Sequence, residues 1–197
     1  MNSKTLDTKQ HIISTGYQLV SKKGFTGVGL SELLKTAEVP KGSFYHYFDS
    51  KEQFGEALLQ DYFEQYLQSV ASLFNSAPGN YYQNLMRYWH YWVEHNSVSA
   101  QSNKCLVVKL AGEVSDLSES MRLVLLKGTN RVITQLSDYI KQGVEAKELH
   151  VSNCSVTAEY LYEFWIGASL IAKIRQDDAS LNQALEVTEQ ILKGQNY

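Results

Sequence analysis

Apolar residues recur at helical spacing along almost the whole chain. Leu30, Leu33, Leu34 and Ala37 fall at i, i+3, i+4 and i+7, the inner stripe of a short helix that Gly29 can cap. A turn through Glu38 and Val39 follows. Pro40 then starts a second helix, because its fixed φ suits the first helical position and its missing N–H is not needed there. Phe44 and Phe48, four residues apart, can anchor that helix on the first. Upstream, Ile12, Ile13, Gly16, Leu19 and Val20 mark the inner stripe of a helix that Asp7 or Thr8 caps and Gly24 ends. Residues 1–51 therefore read as a three-helix bundle.

The remainder, 52–197, repeats the pattern on longer elements. Phe54, Leu58, Tyr62, Tyr66, Val70 and Phe74 stripe a helix over 52–74, closed by Pro78 and Gly79. Further helices are expected over 81–95, 105–114, 121–144, 155–175 and 180–193. The segment 155–175 is apolar nearly all round, which requires burial on several sides. Gly167 and Ala168 within it would let another helix approach closely. With only two prolines in the chain, the expectation is an all-α protein. It has an N-terminal helix-turn-helix domain, 1–51, and a larger C-terminal helical domain, 52–197, for sensing and dimerisation.

The second short helix carries groups that a purely structural helix does not need. Opposite Phe44 and Phe48 lie Gly42, Ser43 and His46, flanked by Tyr45 and Tyr47, with Lys41 in the opening turn. Short or planar hydrogen-bonding groups on one face suit the reading helix of a DNA-binding helix-turn-helix. Gly42 allows close approach, Lys41 and Ser43 can reach bases or phosphate, and Tyr45 and Tyr47 can donate to phosphates. The first helix would bring Lys4, Lys9 or His11 near the same backbone. A helical hairpin with an aromatic core fits the periodicity equally well.

The literal residues separate the two. Gly24-Phe25, Leu33-Leu34, Val39, Lys41 to Tyr45, Tyr47-Phe48 and Ser50-Lys51-Glu52 together resemble the N-terminal signature of the TetR family of bacterial repressors. Gly29 and Pro40 stand where Thr and Ser are commoner. The resemblance implies a homodimer that sets Lys41–Tyr47 in successive major grooves of a roughly palindromic operator. It also implies a phosphate contact from Lys51 and a four-helix dimer interface built from the late helices.

Charge agrees with this placement. The net charge is −3, yet residues 1–51 hold seven Lys against four acidic residues, so the basic footprint sits on the proposed DNA-binding end. No apolar run approaches the ~20 residues that span a membrane, and the N-terminus lacks a signal-peptide core, so a cytoplasmic location is expected. Phosphate-binding glycine loops, nucleophile elbows and zinc motifs are missing; His90, Glu94 and His95 read as a solvated helix face. No cofactor and no metal are expected.

Two features point to an effector. Cys105 opens a small apolar helix, CLVVKLAGEV, which Ser102 or Asn103 can cap. The first turn, with Lys104 and Lys109 nearby, favours a thiolate, the form that attacks electrophiles and oxidants. CLVVKLAGEVSDLSESMR resembles the corresponding stretch of the NemR group within the TetR family, which implies electrophile sensing by a cysteine there. Lys104 departs from the Gly that the group tends to place before it. Lys173, alone in an apolar stretch, is a candidate partner for the thiolate, whereas Cys154 in a polar loop looks incidental. The second feature is the aromatic run of 81–95: Tyr88, Trp89 and Trp92, with Trp165, can wall a pocket for an apolar or aromatic ligand or simply fill a core. The expected function is an operator-binding repressor released by modification of Cys105. Reversible release by an apolar ligand is the alternative, and a small cysteine-dependent enzyme is a remote one.

Overall fold

The computed structural model describes residues 3–76, 79–99 and 105–195, and among them the only regular elements are nine helices. They are α1 (Ser3–Lys23), α2 (Leu30–Thr36), α3 (Lys41–Tyr47), α4 (Lys51–Ser76), α5 (Tyr81–Asn96), α6 (Leu106–Leu117), α7 (Glu119–Glu145), α8 (Cys154–Arg175) and α9 (Ala179–Leu192). Each expected helix is present. α1 starts at Ser3 rather than at Asp7 or Thr8, since nothing between Ser3 and Thr8 breaks a helix. Pro40 is the N-cap of α3, not its first residue, with φ −63° and ψ 150°. Pro78 and the proposed caps Ser102 and Asn103 fall outside the described residues.

The chain divides into two compact units, Met1–Glu64 with Lys109–Gly128 and Gln65–Val108 with Thr129–Tyr197. In the first, α1 packs on α2 and α3. The Phe44 and Phe48 rings meet at 5.1 Å, tilted by 47°, and both reach Phe54 of α4, at 5.8 and 5.4 Å. All three rings are buried, together with Ile12, Val20, Phe25, Leu33 and Leu58. α1 approaches α4 closely at Gly16, where a Cβ would lie 2.2 Å from the Phe54 ring.

The turn between α2 and α3 closes by two backbone bonds, Glu38 N–H to Lys35 O at 3.3 Å and Val39 N–H to Leu34 O at 3.1 Å. This is the helix-ending arrangement that usually places glycine in the left-handed position. Here that position is Glu38, with φ +54°.

In the second unit α8 packs on α9, and α9 on α5. α5 begins with a reciprocal cap: the Asn80 side chain accepts from Gln83 N–H, and the Gln83 side chain accepts from Asn80 N–H. The Asn153 side chain caps α8 by accepting from Val156 N–H. Trp89 and Trp165 stack at 4.8 Å with planes 9° apart in the middle of this unit.

Two substitutions should move stability in opposite directions. Glu38→Gly should raise it by about 1 kcal/mol by relieving the left-handed backbone, whereas Gly16→Ala should lower it by about 1–3 kcal/mol by crowding Phe54. Urea unfolding of both variants measures this; equal and same-signed shifts would contradict the assigned geometry.

Candidate DNA interface and cysteine site

α3 has only seven residues, so its conformation depends on what holds it. Phe44 and Phe48 turn inward, and the periodicity then leaves Lys41, Gly42, Tyr45 and His46 exposed, with Ser43 and Tyr47 half-buried. Those six residues make up the part of α3 that is not turned inward with Phe44. Lys41 Nζ lies 5.7 Å from the Tyr45 ring centre, and the His46 and Tyr47 rings meet at 4.8 Å. A Cβ added to Gly42 would meet no atom within 4 Å, so glycine is not required there by the fold.

The flanking cations are engaged inside the unit. Lys51, the first residue of α4, donates to Phe25 O at 2.8 Å, and its ammonium sits 4.6 Å from the centre of the Phe25 ring. Burial pushes its pKa down against the opposing pull of Glu52 and Glu113. His11 Nε2 meets Ala37 O at 2.9 Å, tying α1 to the end of α2. Lys9 Nζ lies 5.7 Å from the Phe48 ring centre. The side chain of Lys4 lies outside the described residues.

The Phe25–Thr26 turn is also held from α6. Glu113 accepts from Phe25 N–H at 3.2 Å, from Thr26 N–H at 2.5 Å and from Thr26 Oγ1–H at 2.5 Å. Burial alone would raise the Glu113 pKa, but these hydrogen bonds and the Lys109 charge outweigh it and hold the carboxyl below its usual range. It is therefore ionised at neutral pH. No sequence pattern singled out Glu113, because its partners are backbone groups 87 and 88 residues away.

Cys105 lies one residue before α6, not in its first turn, and is buried, with 8% exposure. Its N–H donates to Asn96 Oδ1 at 3.2 Å, so Asn96 of α5 supplies the acceptor expected from Ser102 or Asn103. The phenols of Tyr88 and Tyr162 are both pushed up, first by burial and then in part by the charge Cys105 would carry as a thiolate. Tyr88 Oη in turn pairs with Tyr66 Oη at 2.6 Å. Lys109, expected to favour the thiolate, donates instead to Lys22 O at 3.2 Å. Lys104 lies outside the described residues. Lys173 is exposed on the last turns of α8. Cys154 is not in a loop: it is the first residue of α8 and partly exposed.

The four rings proposed to wall a pocket are packed against one another. Tyr88, Trp89, Trp92 and Trp165 are at most 4% exposed, with neighbouring ring centres 4.5–6.3 Å apart. Trp92 Nε1–H donates to Ser169 Oγ and Trp165 Nε1–H to Thr188 Oγ1, both at 2.9 Å. Trp89 Nε1–H is buried without a partner.

α8 leaves an apolar stripe uncovered within the chain. Val156, Tyr160, Leu170, Ile171 and Ile174 are 39–68% exposed, and Gly167 lies among them with open space at its Cβ position. Ala168 belongs to the opposite, inward face with Trp165, Ser169 and Ala172, so a charge there would test the fold of the chain and not its association. Among the described residues no group of three or more His, Cys, Asp or Glu could hold a metal ion, and no helix is long and apolar enough to cross a membrane.

Comparison with known proteins agrees with both halves of this description. Residues 12–58 match the family model for bacterial regulatory proteins of the tetR family, and residues 82–188 match that for the tetracyclin repressor-like C-terminal domain. The chain is 44% identical over 191 residues to the HTH-type transcriptional repressor NemR of Escherichia coli, covering 94% of each. It is 29% identical to the HTH-type transcriptional repressor DhaR of a Mycobacterium species, covering 93% of this chain and 91% of that one. The crystal structure of reduced E. coli NemR superposes with a TM-score of 0.88 at 46% identity, over 94% of this chain and 97% of that one.

The reading face can be tested apart from the fold. Gly42→Ala should leave stability unchanged or raise it by up to about 1 kcal/mol, yet weaken operator binding by filling the space where α3 meets the groove. Ser43→Ala and His46→Ala should mainly relax sequence preference, whereas Tyr45→Phe should weaken all duplexes alike. Footprinting with salt titration distinguishes these outcomes; four variants with wild-type binding would remove α3 from the interface.

Proposed function

The chain belongs to the tetR family of bacterial regulatory proteins and is a DNA-binding transcriptional regulator; on that premise we propose a repressor released from its operator when Cys105 is modified by an electrophile or oxidant. The observation that carries this reading is the placement of Cys105: buried one residue before α6, with its N–H held by the Asn96 side chain of α5. A thiolate there would add to the double bond of N-ethylmaleimide. A carbon–sulfur bond forms, and the resulting enolate takes a proton from water. The adduct cannot fit the 8% exposed site without displacing its neighbours. A strain of about 3 kcal/mol borne only by the DNA-competent state would lower operator affinity roughly a hundredfold.

DNA reading assigns Lys41, Gly42, Ser43, Tyr45, His46 and Tyr47 to the groove. Lys51 would reach a phosphate only by releasing Phe25 O, or would act indirectly by holding that turn. Repressors of this family act as dimers on operator DNA. The uncovered α8 stripe supports a homodimer in which α8 and α9 of two copies pair, as its residues recur about every three to four positions along one face. Ile171→Asp and Ile174→Asp should leave the chain folded but dissociate the dimer. Operator affinity should fall at least tenfold, because the two half-sites are then no longer bound together; sedimentation and gel shift report the two effects. A wild-type protein that sediments as a monomer at micromolar concentration would overturn the dimer.

Cys105→Ser should keep operator affinity and lose the response to N-ethylmaleimide, while Cys154→Ser should keep both. Intact-mass measurement should find at most two equivalents consumed, one for each of Cys105 and Cys154, and no turnover, as expected of a regulator that is not an enzyme. Release that persists in Cys105→Ser would favour the second reading, a reversible apolar ligand. The unpaired Trp89 N–H supports that alternative, since an acceptor on a ligand would remove a cost of about 1–3 kcal/mol. Trp89→Phe should abolish that kind of release and leave the cysteine response intact.

A further inference from the structure

The Phe25 peptide is gripped on both sides by charged groups that belong to neither α1 nor α2. Its N–H points to Glu113 of α6, and its C=O to Lys51 of α4. The next residue adds two more bonds to the same carboxylate, through Thr26 N–H and Oγ1–H. The Glu113 carboxylate thus accepts three hydrogen bonds from one turn, where neutral amide would satisfy fewer. The chain accommodates it closely. Gly24, with φ +81°, ends α1, and a Cβ on it would lie 2.8 Å from Glu113 Oε2. The turn held in this way leads directly into α2 and, four residues after its end, α3.

α6 begins one residue after Cys105 and reaches Glu113 about 10 Å further on at 1.5 Å per residue. A continuous helix carries a shift or rotation at its head along its length, because its packed side chains do not deform by small increments. Glu119, only six residues beyond Glu113, instead accepts from Arg122 on the exposed start of α7.

We infer that Glu113 is the coupling residue of this regulator: its carboxylate holds the Phe25–Thr26 turn, and through it the α2–α3 reading unit, to α6. This rests on the reading of Cys105 as the sensing thiol. In the unmodified protein the grip keeps α2 and α3 in their DNA-binding arrangement. When α6 is displaced by an adduct at its head, the turn is drawn with it or let go, and the arrangement is lost.

The test uses full-length protein with Glu113→Gln, Thr26→Val and the charge control Glu119→Gln. Operator affinity is measured for each before and after complete modification by N-ethylmaleimide, with adduct checked by intact mass and folding by thermal unfolding. Removing a carboxylate should on electrostatic grounds strengthen DNA binding, so the sign of the effect is diagnostic. Glu113→Gln should instead weaken binding of the unmodified protein about tenfold and leave less than a threefold further loss on modification. Thr26→Val, which keeps the carboxylate and both N–H groups, should move both quantities the same way by a smaller factor; it decides the matter if Glu113→Gln does not fold. Glu119→Gln should match or slightly exceed wild-type affinity and release normally. Unmodified affinity equal to wild type in Glu113→Gln, or a release ratio equal to wild type, overturns the coupling role while leaving Cys105 as sensor. A wild-type protein that N-ethylmaleimide does not release overturns the sensing reading, and Glu113 is then judged on unmodified affinity alone.

Discussion

A seven-residue helix is below the length at which hydrogen bonding within it can offset the cost of nucleation, so α3 exists only because something outside it is fixed. That something is the ring cluster of Phe44, Phe48 and Phe54. Burying an aromatic side chain is worth roughly 1.5–3 kcal/mol. Phe44 and Phe48 supply that on the face turned to Phe54. Once those two rings are inside, the rotation of α3 about its axis is settled, and the face carrying Lys41, Gly42, Tyr45 and His46 has to point outward. The reading surface is thus a consequence of two phenylalanines four residues apart.

The same logic makes the turn before α2 a sensitive place. α1 ends in a left-handed glycine, and the chain then crosses to α2 with Phe25 and Val28 buried along the way. Polar contacts add to that anchoring: Glu113 and Lys51 on the Phe25 backbone and the Lys23–Glu32 ion pair. Exposed ion pairs contribute little, but a partly buried carboxylate with three donors gives direction as well as attraction. Hydrogen bonds of this kind are either made or broken, which suits a two-state response better than apolar packing does.

Around the cysteine the structure replaces one chemical account with another. The sequence pattern attributes thiolate character to a helix N-terminus and neighbouring lysines. In the fold, Cys105 precedes the helix, its N–H is held by Asn96 of α5, and Lys109 is occupied at Lys22 O. It is Cys154 that opens a helix, under the Asn153 cap. Helix boundaries shift by a residue or two between pattern and structure, and for a cysteine at a boundary that shift decides its environment.

The sequence by itself determined every helix to within a few residues, because the spacing of apolar side chains and the turn residues between them act locally. It also determined which side chains of α3 face outward, and the resemblance carried by Lys41 to Tyr45 and Ser50 to Glu52 identified the family. Tertiary structure decided what those local rules cannot see. Lys51, for which the resemblance implies a phosphate contact, donates to Phe25 O in the fold. The Trp89, Trp92 and Trp165 rings could wall a cavity or fill a core in the sequence, and in the fold they pack against one another. Ala168 and Ile171, three residues apart on one apolar helix, fall on opposite sides of the chain's own surface. Glu113 carried no signal at all, since its partners are main-chain N–H groups in a turn more than eighty residues earlier. Periodicity reports which residues share a face; only packing says what that face meets.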